Sequence, residues 1–260
     1  FSLMAREVQE YASIVAYDAR GHGKSHKDIA CEDLSLDTLI KEAEEVIKYC
    51  MAQHEKASTW IIVGHSMGGT VAARLVSLLE SSAISSKIGA IVLIDVSERA
   101  VLENISTMSS ILEHRPKAFV NYQTAIQWAF QSQLINNMES ARVSIPPLLI
   151  EEIQQNGTKL YKWRTDLFKT VKWWKEWFKG VSSCFVGLKC IKVSLTSDPH
   201  SVDRDVLKAC REGNVSLYTF PNTGHHMMED DPIATARAIH RTLEKLAPSL
   251  NISLQPYSKM

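Results

Sequence analysis

No apolar run in this sequence approaches the roughly 20 residues that a membrane-spanning helix needs. The five cysteines (Cys31, Cys50, Cys184, Cys190 and Cys210) form no C-x-x-C pair, and their odd number argues against a complete disulfide framework. They are expected as reduced, mostly buried thiols of an intracellular protein, cytoplasmic or nuclear. An excess of charge is missing too. Lys+Arg and Asp+Glu each total 29, so neither nucleic acid nor an anionic membrane is expected as the principal partner. Repeats and low-complexity tracts are absent. Four N-x-[ST] triplets, at Asn104, Asn156, Asn214 and Asn251, carry little weight for secretion without a signal peptide. The chain opens on Phe1 and not on Met, which leaves the question of an upstream segment open.

What is present is ordinary globular composition: 260 residues, 45% hydrophobic and 22% charged, enough for one large domain. Short β-rich runs alternate with helical patterns, the signature of a parallel sheet with crossover helices. Strands are expected over 12–18 ("ASIVAYD"), 59–64 ("TWIIVG"), 88–96 ("IGAIVLIDV"), 191–197 ("IKVSLTS") and 215–221 ("VSLYTFP"). Several are apolar at consecutive positions, as expected where helices cover both faces. Leu39, Ala43, Val46, Ile47, Cys50 and Met51 follow helical spacing behind Ser35, a candidate N-cap. Further helices are expected after Ser66 and from Pro232 to Leu246. Residues 100–190 have helical texture, little strand character and five of the six tryptophans. Core packing accounts for most of these rings, and the position of the stretch suits a helical cap beside the ligand crevice.

The chemistry concentrates in "IIVGHSMGGTVAARL". Gly64-His65-Ser66-Met67-Gly68 fits G-x-S-x-G, with apolar strand before and amphipathic helix after. Ser66 needs a tight, strained turn to lift its hydroxyl above the sheet. Glycines two residues to either side leave room for that turn and for a close strand–helix approach. The Met67 backbone N–H is then the oxyanion donor. A serine nucleophile needs a base, and "FPNTGHHMMEDDP" offers His225 after the last strand, preferred over His226 because it directly follows Gly224. His22 and His65 are expected to shape loops. Two acids end strands, Asp95 and Asp198. Both satisfy the order Ser…Asp…His, and pattern alone does not separate them.

"VGHSMGG", "LIDVSE", "EHRPKAF", "AIQWAF", "NMESARVS", "YKWRTDLFKTVKWWKEWFKG" and "TGHHMMEDDP" together resemble the protein phosphatase methylesterases, over nearly the whole chain. The resemblance implies an α/β-hydrolase fold, here one domain over 1–260 with a cap at about 100–190, read against the crevice rule for parallel sheets. It implies an esterase that demethylates the C-terminal leucine of the protein phosphatase 2A catalytic subunit, with that subunit as partner and no metal or organic cofactor. It also favours Asp95 as triad acid over Asp198. Another carboxylesterase, or a catalytically impaired phosphatase-binding protein, is the alternative.

Three departures accompany the resemblance. Only "IEEIQQNGTKLY" stands where the family has a long charged insertion. Arg99 replaces a glycine near the proposed acid, with its head expected in solvent. No strand with an "HGG"-type oxyanion loop is found, so N-terminal strands are expected to be missing and the chain to be a truncated gene product or an incomplete gene model. Losing one oxyanion donor would cost roughly 10²–10³ in turnover.

Overall fold

The computed structural model describes residues 1–26 and 33–250. Cys31 and Asn251 lie outside the described residues. The first elements are α1 (Ser2–Val8), α2 (Leu36–Gln53), β1 (Trp60–His65), α3 (Met67–Leu79), β2 (Ile88–Ile94) and α4 (Glu98–Glu113), the last running into the stretch expected as a cap. The cap continues with β3 (Ala118–Phe119), α5 (Tyr122–Gln131), α6 (Met138–Ser144), β4 (Leu149–Ile153), β5 (Lys159–Trp163) and α7 (Val171–Phe178). The chain then returns to the main body through α8 (Val181–Gly187), β6 (Ile191–Thr196), α9 (Arg204–Arg211), β7 (Ser216–Thr219), α10 (Met227–Asp230) and α11 (Pro232–Leu250).

The main sheet has the order β1-β2-β6-β7 and every pairing in it is parallel. Strand β2 is central, and Ala90 to Ile94 are all buried. Alternate side chains of a strand point to opposite faces. Ile91 and Leu93 accordingly join a core with α2, α3, α8 and α9, while Val92 and Ile94 join one with α1, α10 and α11. An unbroken apolar run was needed because both faces are covered. In α2, Leu39, Ala43, Ile47 and Met51 form the buried stripe. Ser35 stands at its N-cap, but its hydroxyl donates to Thr38 Oγ1 at 3.1 Å and caps no backbone N–H.

The expected strand over 12–18 is not one. Those residues lie outside any ladder, with Ile14, Val15 and Tyr17 more than 40% exposed. Strand propensity alone does not make a strand, because its N–H and C=O groups need a partner strand. Among the described residues β1 pairs on one side only.

The cap also has more strand than its expected helical texture with little strand character. It contains an antiparallel sheet in the order β3-β5-β4, packed with α5 and α6 around Phe119, Ala125, Ala129, Ile145 and Leu149. "IEEIQQNGTKLY" forms most of its hairpin, closed by Gly157 at φ +79°, a conformation that suits glycine. Its alternation of polar and apolar residues was too short to stand out in the sequence. Tryptophans serve the core as expected: Trp174 and Trp177 are buried beneath α2 and α3, and Trp128 and Trp163 pack with Phe119.

Cys50, Cys184, Cys190 and Cys210 are free thiols, and all four are only partly buried. No helix among the described residues is long and apolar enough to cross a membrane.

Candidate active site

Parallel register brings the chemistry to one edge. His65 pairs with Ile94, and Ile94 pairs with Leu195, so β1, β2 and β6 end level with one another. The ladder runs one bond further on each side: Ser66 N–H donates to Ile94 O (3.0 Å) and Asp95 N–H to Leu195 O (2.8 Å). Ser66 and Asp95 therefore leave adjacent strands at the same height. Both have φ +51°, the left-handed region that L-residues avoid. Strain at two adjacent strand ends persists only where the surroundings over-determine it.

The glycines around Ser66 divide the work differently from the expectation. A Cβ on Gly64 would stand 2.3 Å from Gly68 O, so the close approach of strand and helix does require glycine there. At Gly68 a Cβ would meet nothing within 4 Å. The tight position is Gly69, where it would lie 2.4 Å from Val96 Cγ2 and 3.0 Å from Gly64 O. Steric need falls one residue later than the G-x-S-x-G spacing implies.

His225 lies in the loop between β7 and α10. Its Nδ1–H donates to Asp95 Oδ2 at 2.8 Å. Asp95 Oδ1 accepts from the backbone N–H (3.1 Å) and the hydroxyl (3.0 Å) of Ser197. Burial by itself would raise the Asp95 carboxyl, but the His225 bond, its charge and the two Ser197 donors outweigh burial and hold it below the usual carboxylate range. Asp198, the rival acid, turns back on its own loop and accepts from His200 N–H at 2.8 Å. Among the described residues no hydrogen bond joins Ser66 Oγ to His225, whose side chain is 51% exposed.

Three imidazoles crowd this end of the sheet. The ring centroids of His65 and His225 are 4.5 Å apart, and His226 lies 5.2 Å from His65 and 5.4 Å from His225. His65 Nε2 is 2.8 Å from His225 O. A carbonyl only accepts, so His65 carries its proton on Nε2 and donates. Burial, then the neighbouring histidine charges, depress His65 well below its ordinary value, and burial first holds His226 at about 3. Both rings are neutral near pH 7, so neither opposes a positive charge on His225. His65 ties the serine turn to the histidine loop, in keeping with its expected loop-shaping part. His22 Nδ1 sits 2.9 Å from Arg20 O, within its own loop.

Several supporting residues escaped the sequence reading. Asp203, 7% exposed, accepts from the N–H groups of Glu98 and Arg99 (both 2.8 Å) and from the Ser182 hydroxyl (2.6 Å). Glu98 accepts in turn from Gly180 N–H at 2.7 Å. These bonds pin the start of α4, three residues beyond Asp95, to α8 and the loop before α9. Arg99 reaches His200 O (2.5 Å) and Glu103 (3.3 Å), not Asp95. Arg115, in the cap, stacks 4.0 Å from the Trp163 ring centroid with its Nε buried and unpartnered. Ser197 stood beside Asp198 in the same loop, but nothing local distinguished it. Among the described residues no group of three or more His, Cys, Asp or Glu side chains is arranged to hold a metal ion.

Comparison with known proteins gives a consistent picture. Residues 1–238 match the model of the alpha/beta hydrolase family. The chain is 35% identical over 231 residues to a probable protein phosphatase methylesterase 1 of Caenorhabditis elegans, covering 88% of this chain and 60% of that protein. It is 32% identical over 234 residues to the protein phosphatase methylesterase 1 of Yarrowia lipolytica, covering 90% of this chain and 54% of that one. The chain thus spans little more than half the length of these curated relatives. Among solved structures, the peroxisomal alpha-beta-hydrolase Lpx1 of Saccharomyces cerevisiae superposes with a TM-score of 0.68 at 11% identity, over 99% of this chain and 76% of that one. E-2-(acetamidomethylene)succinate hydrolase gives a TM-score of 0.67 at 14% identity, over 87% of this chain and 80% of that one. These last two likenesses concern the fold alone.

Proposed function

From the premise that this chain belongs to the alpha/beta hydrolase family, we propose that it is a serine esterase of the protein phosphatase methylesterase kind. Its substrate is the methyl-esterified C-terminal leucine of the protein phosphatase 2A catalytic subunit, as the sequence resemblance implies. The observation that carries the reading is the 2.8 Å bond from His225 to Asp95, beside the strained turn of Ser66.

In this mechanism Ser66 Oγ attacks the ester carbonyl while His225 Nε2 takes its proton. Asp95 keeps the histidine proton on Nδ1, so that Nε2 is free to accept, and it stabilises the imidazolium. The carbonyl oxygen becomes an oxyanion, which the Met67 N–H at the start of α3 receives. Collapse breaks the C–O bond to the methoxy group, and His225 returns the proton so that methanol leaves. Water then attacks the acyl-Ser66, losing a proton to His225, and the free carboxylate departs as Ser66 is reprotonated. The missing Ser66–His225 hydrogen bond is compatible with this cycle, since such bonds often tighten only when substrate binds.

The test has two arms. A fluorophosphonate probe is expected to label the wild-type chain and not Ser66→Ala. A methyl-esterified peptide with the phosphatase C-terminal sequence is expected to be hydrolysed in preference to short acyl esters. Absence of labelling would leave a phosphatase-binding protein without esterase chemistry. Labelling with no preference for the peptide would leave a general carboxylesterase.

A further inference from the structure

We propose that Asp230 is a positioning residue that latches the cap to the loop carrying His225; the catalytic consequence rests on the hydrolase reading above. Asp230 ends α10 in "MMEDD", a motif that the mechanism does not otherwise use. Its Oδ2 accepts from Gly224 N–H at 2.7 Å, the residue immediately before His225. The same carboxylate holds the cap. Oδ1 accepts from Asn136 N–H (2.6 Å) and Oδ2 from Asn136 Nδ2 (3.0 Å), while Asn137 Nδ2 reaches the Asp230 carbonyl at 3.5 Å. One ionised group thus binds two elements 88 residues apart in the chain, counted from Asn136 to Gly224, with charge-assisted bonds stronger than neutral ones.

The cap side of the latch is tied at several points. Asn136 and Asn137 join α5 to α6, and Asn137 caps α6 by accepting from Glu139 and Ser140 N–H. The same helix is tied again where Ser144 Oγ donates to the buried Glu229 at 2.8 Å. Gln133 O would stand 3.7 Å from a Cβ on Gly224, so the cap segment also packs directly on the loop. The other restraints on His225 are its bond to Asp95, the His65 bond to its carbonyl and ring contacts with His65 and His226, and its ring is half-exposed. A shift of residues 133–137 therefore moves Gly224, and with it the imidazole. The cap would affect turnover through the base as well as through substrate contact.

The bland alternative is that Asp230 only closes its own turn, in which Asp230 N–H donates to His226 O at 3.0 Å. Asn136→Asp separates the two, because it lies on the cap and outside that turn and sets a second carboxylate against Asp230 in place of the Nδ2 donor. Asp230→Asn, Asn136→Asp and the double variant of the full chain are compared by steady-state ester hydrolysis, thermal midpoint and amide hydrogen exchange of residues 221–226. Each single variant should lower kcat about tenfold or more with KM changed by less than about threefold, as for a misplaced catalytic group. Both should speed exchange in 221–226, and the double variant should be no worse than Asp230→Asn alone. The latch is refuted if Asn136→Asp leaves both kcat and exchange at wild-type values, or if kcat falls only in step with the folded fraction. If the wild-type chain hydrolyses nothing, the hydrolase reading fails while the exchange comparison still decides the latch.

Discussion

His225 Nδ1 stands 2.8 Å from Asp95 Oδ2, although the two residues are 130 positions apart in the chain. Asp198 sits at the end of the next strand and spends its carboxylate on His200 N–H in its own loop. Asp95→Asn should therefore lower kcat by roughly 10⁴, the loss seen where a triad acid becomes an amide and the wrong histidine tautomer is favoured. Asp198→Asn should leave turnover at the wild-type level. Steady-state hydrolysis by the two variants checks this, and the reverse pattern would transfer the acid to Asp198.

The turn of Ser66 makes a steric prediction. Gly69→Ala places a methyl group 2.4 Å from Val96 Cγ2 and 3.0 Å from Gly64 O, so about 1–3 kcal/mol of stability should be lost through overpacking. Gly68→Ala enters open space in a helix, where exchanging glycine for alanine stabilises by up to about 1 kcal/mol. Thermal melts of the two variants should move in opposite directions.

His226 makes the acid stability of the fold depend on pH. Its folded ring stays neutral down to about 3 because of burial and the neighbouring His225 charge. An unfolded histidine takes its proton near pH 6.5, so between about pH 6.5 and about pH 3 the unfolded chain binds more protons and stability falls as pH falls. His226→Gln removes that proton. Urea midpoints measured between about pH 7 and about pH 4.5 should decline less steeply in the variant than in the wild type. Parallel slopes would show that His226 is protonated in the folded chain.

Asp203 joins three donors on two elements. Asp203→Ala leaves buried N–H and O–H groups without acceptors, at a cost of about 2–4 kcal/mol. Chemical denaturation checks the magnitude. A loss under about 0.5 kcal/mol, the range of ordinary surface changes, would mean that water replaces the carboxylate.

The strands β1, β2, β6 and β7, the helices α2, α3 and α11, and the serine turn were all legible in the residues. Each depends on neighbours a few positions away: apolar periodicity for the elements, and the tight strand–helix approach for Gly64. Where the reading failed, the cause was a partner distant in sequence. "ASIVAYD" has strand composition, yet no neighbouring strand among the described residues to complete its ladder. The cap sheet of β3, β4 and β5 takes shape only when short segments from opposite ends of the cap meet. Gly69 outranks Gly68 because Val96, in the loop just after β2, fills the space above it.

The pairing of acid with histidine also depends on residues distant in sequence. The sequence by itself determined that a serine turn, a histidine loop and two strand-end carboxylates exist, and the resemblance favoured Asp95. Only the tertiary structure brought one of those carboxylates against the imidazole. Parallel register sets the ends of β1 and β2 level, and a hydrogen bond depends on a distance in space that chain order does not encode.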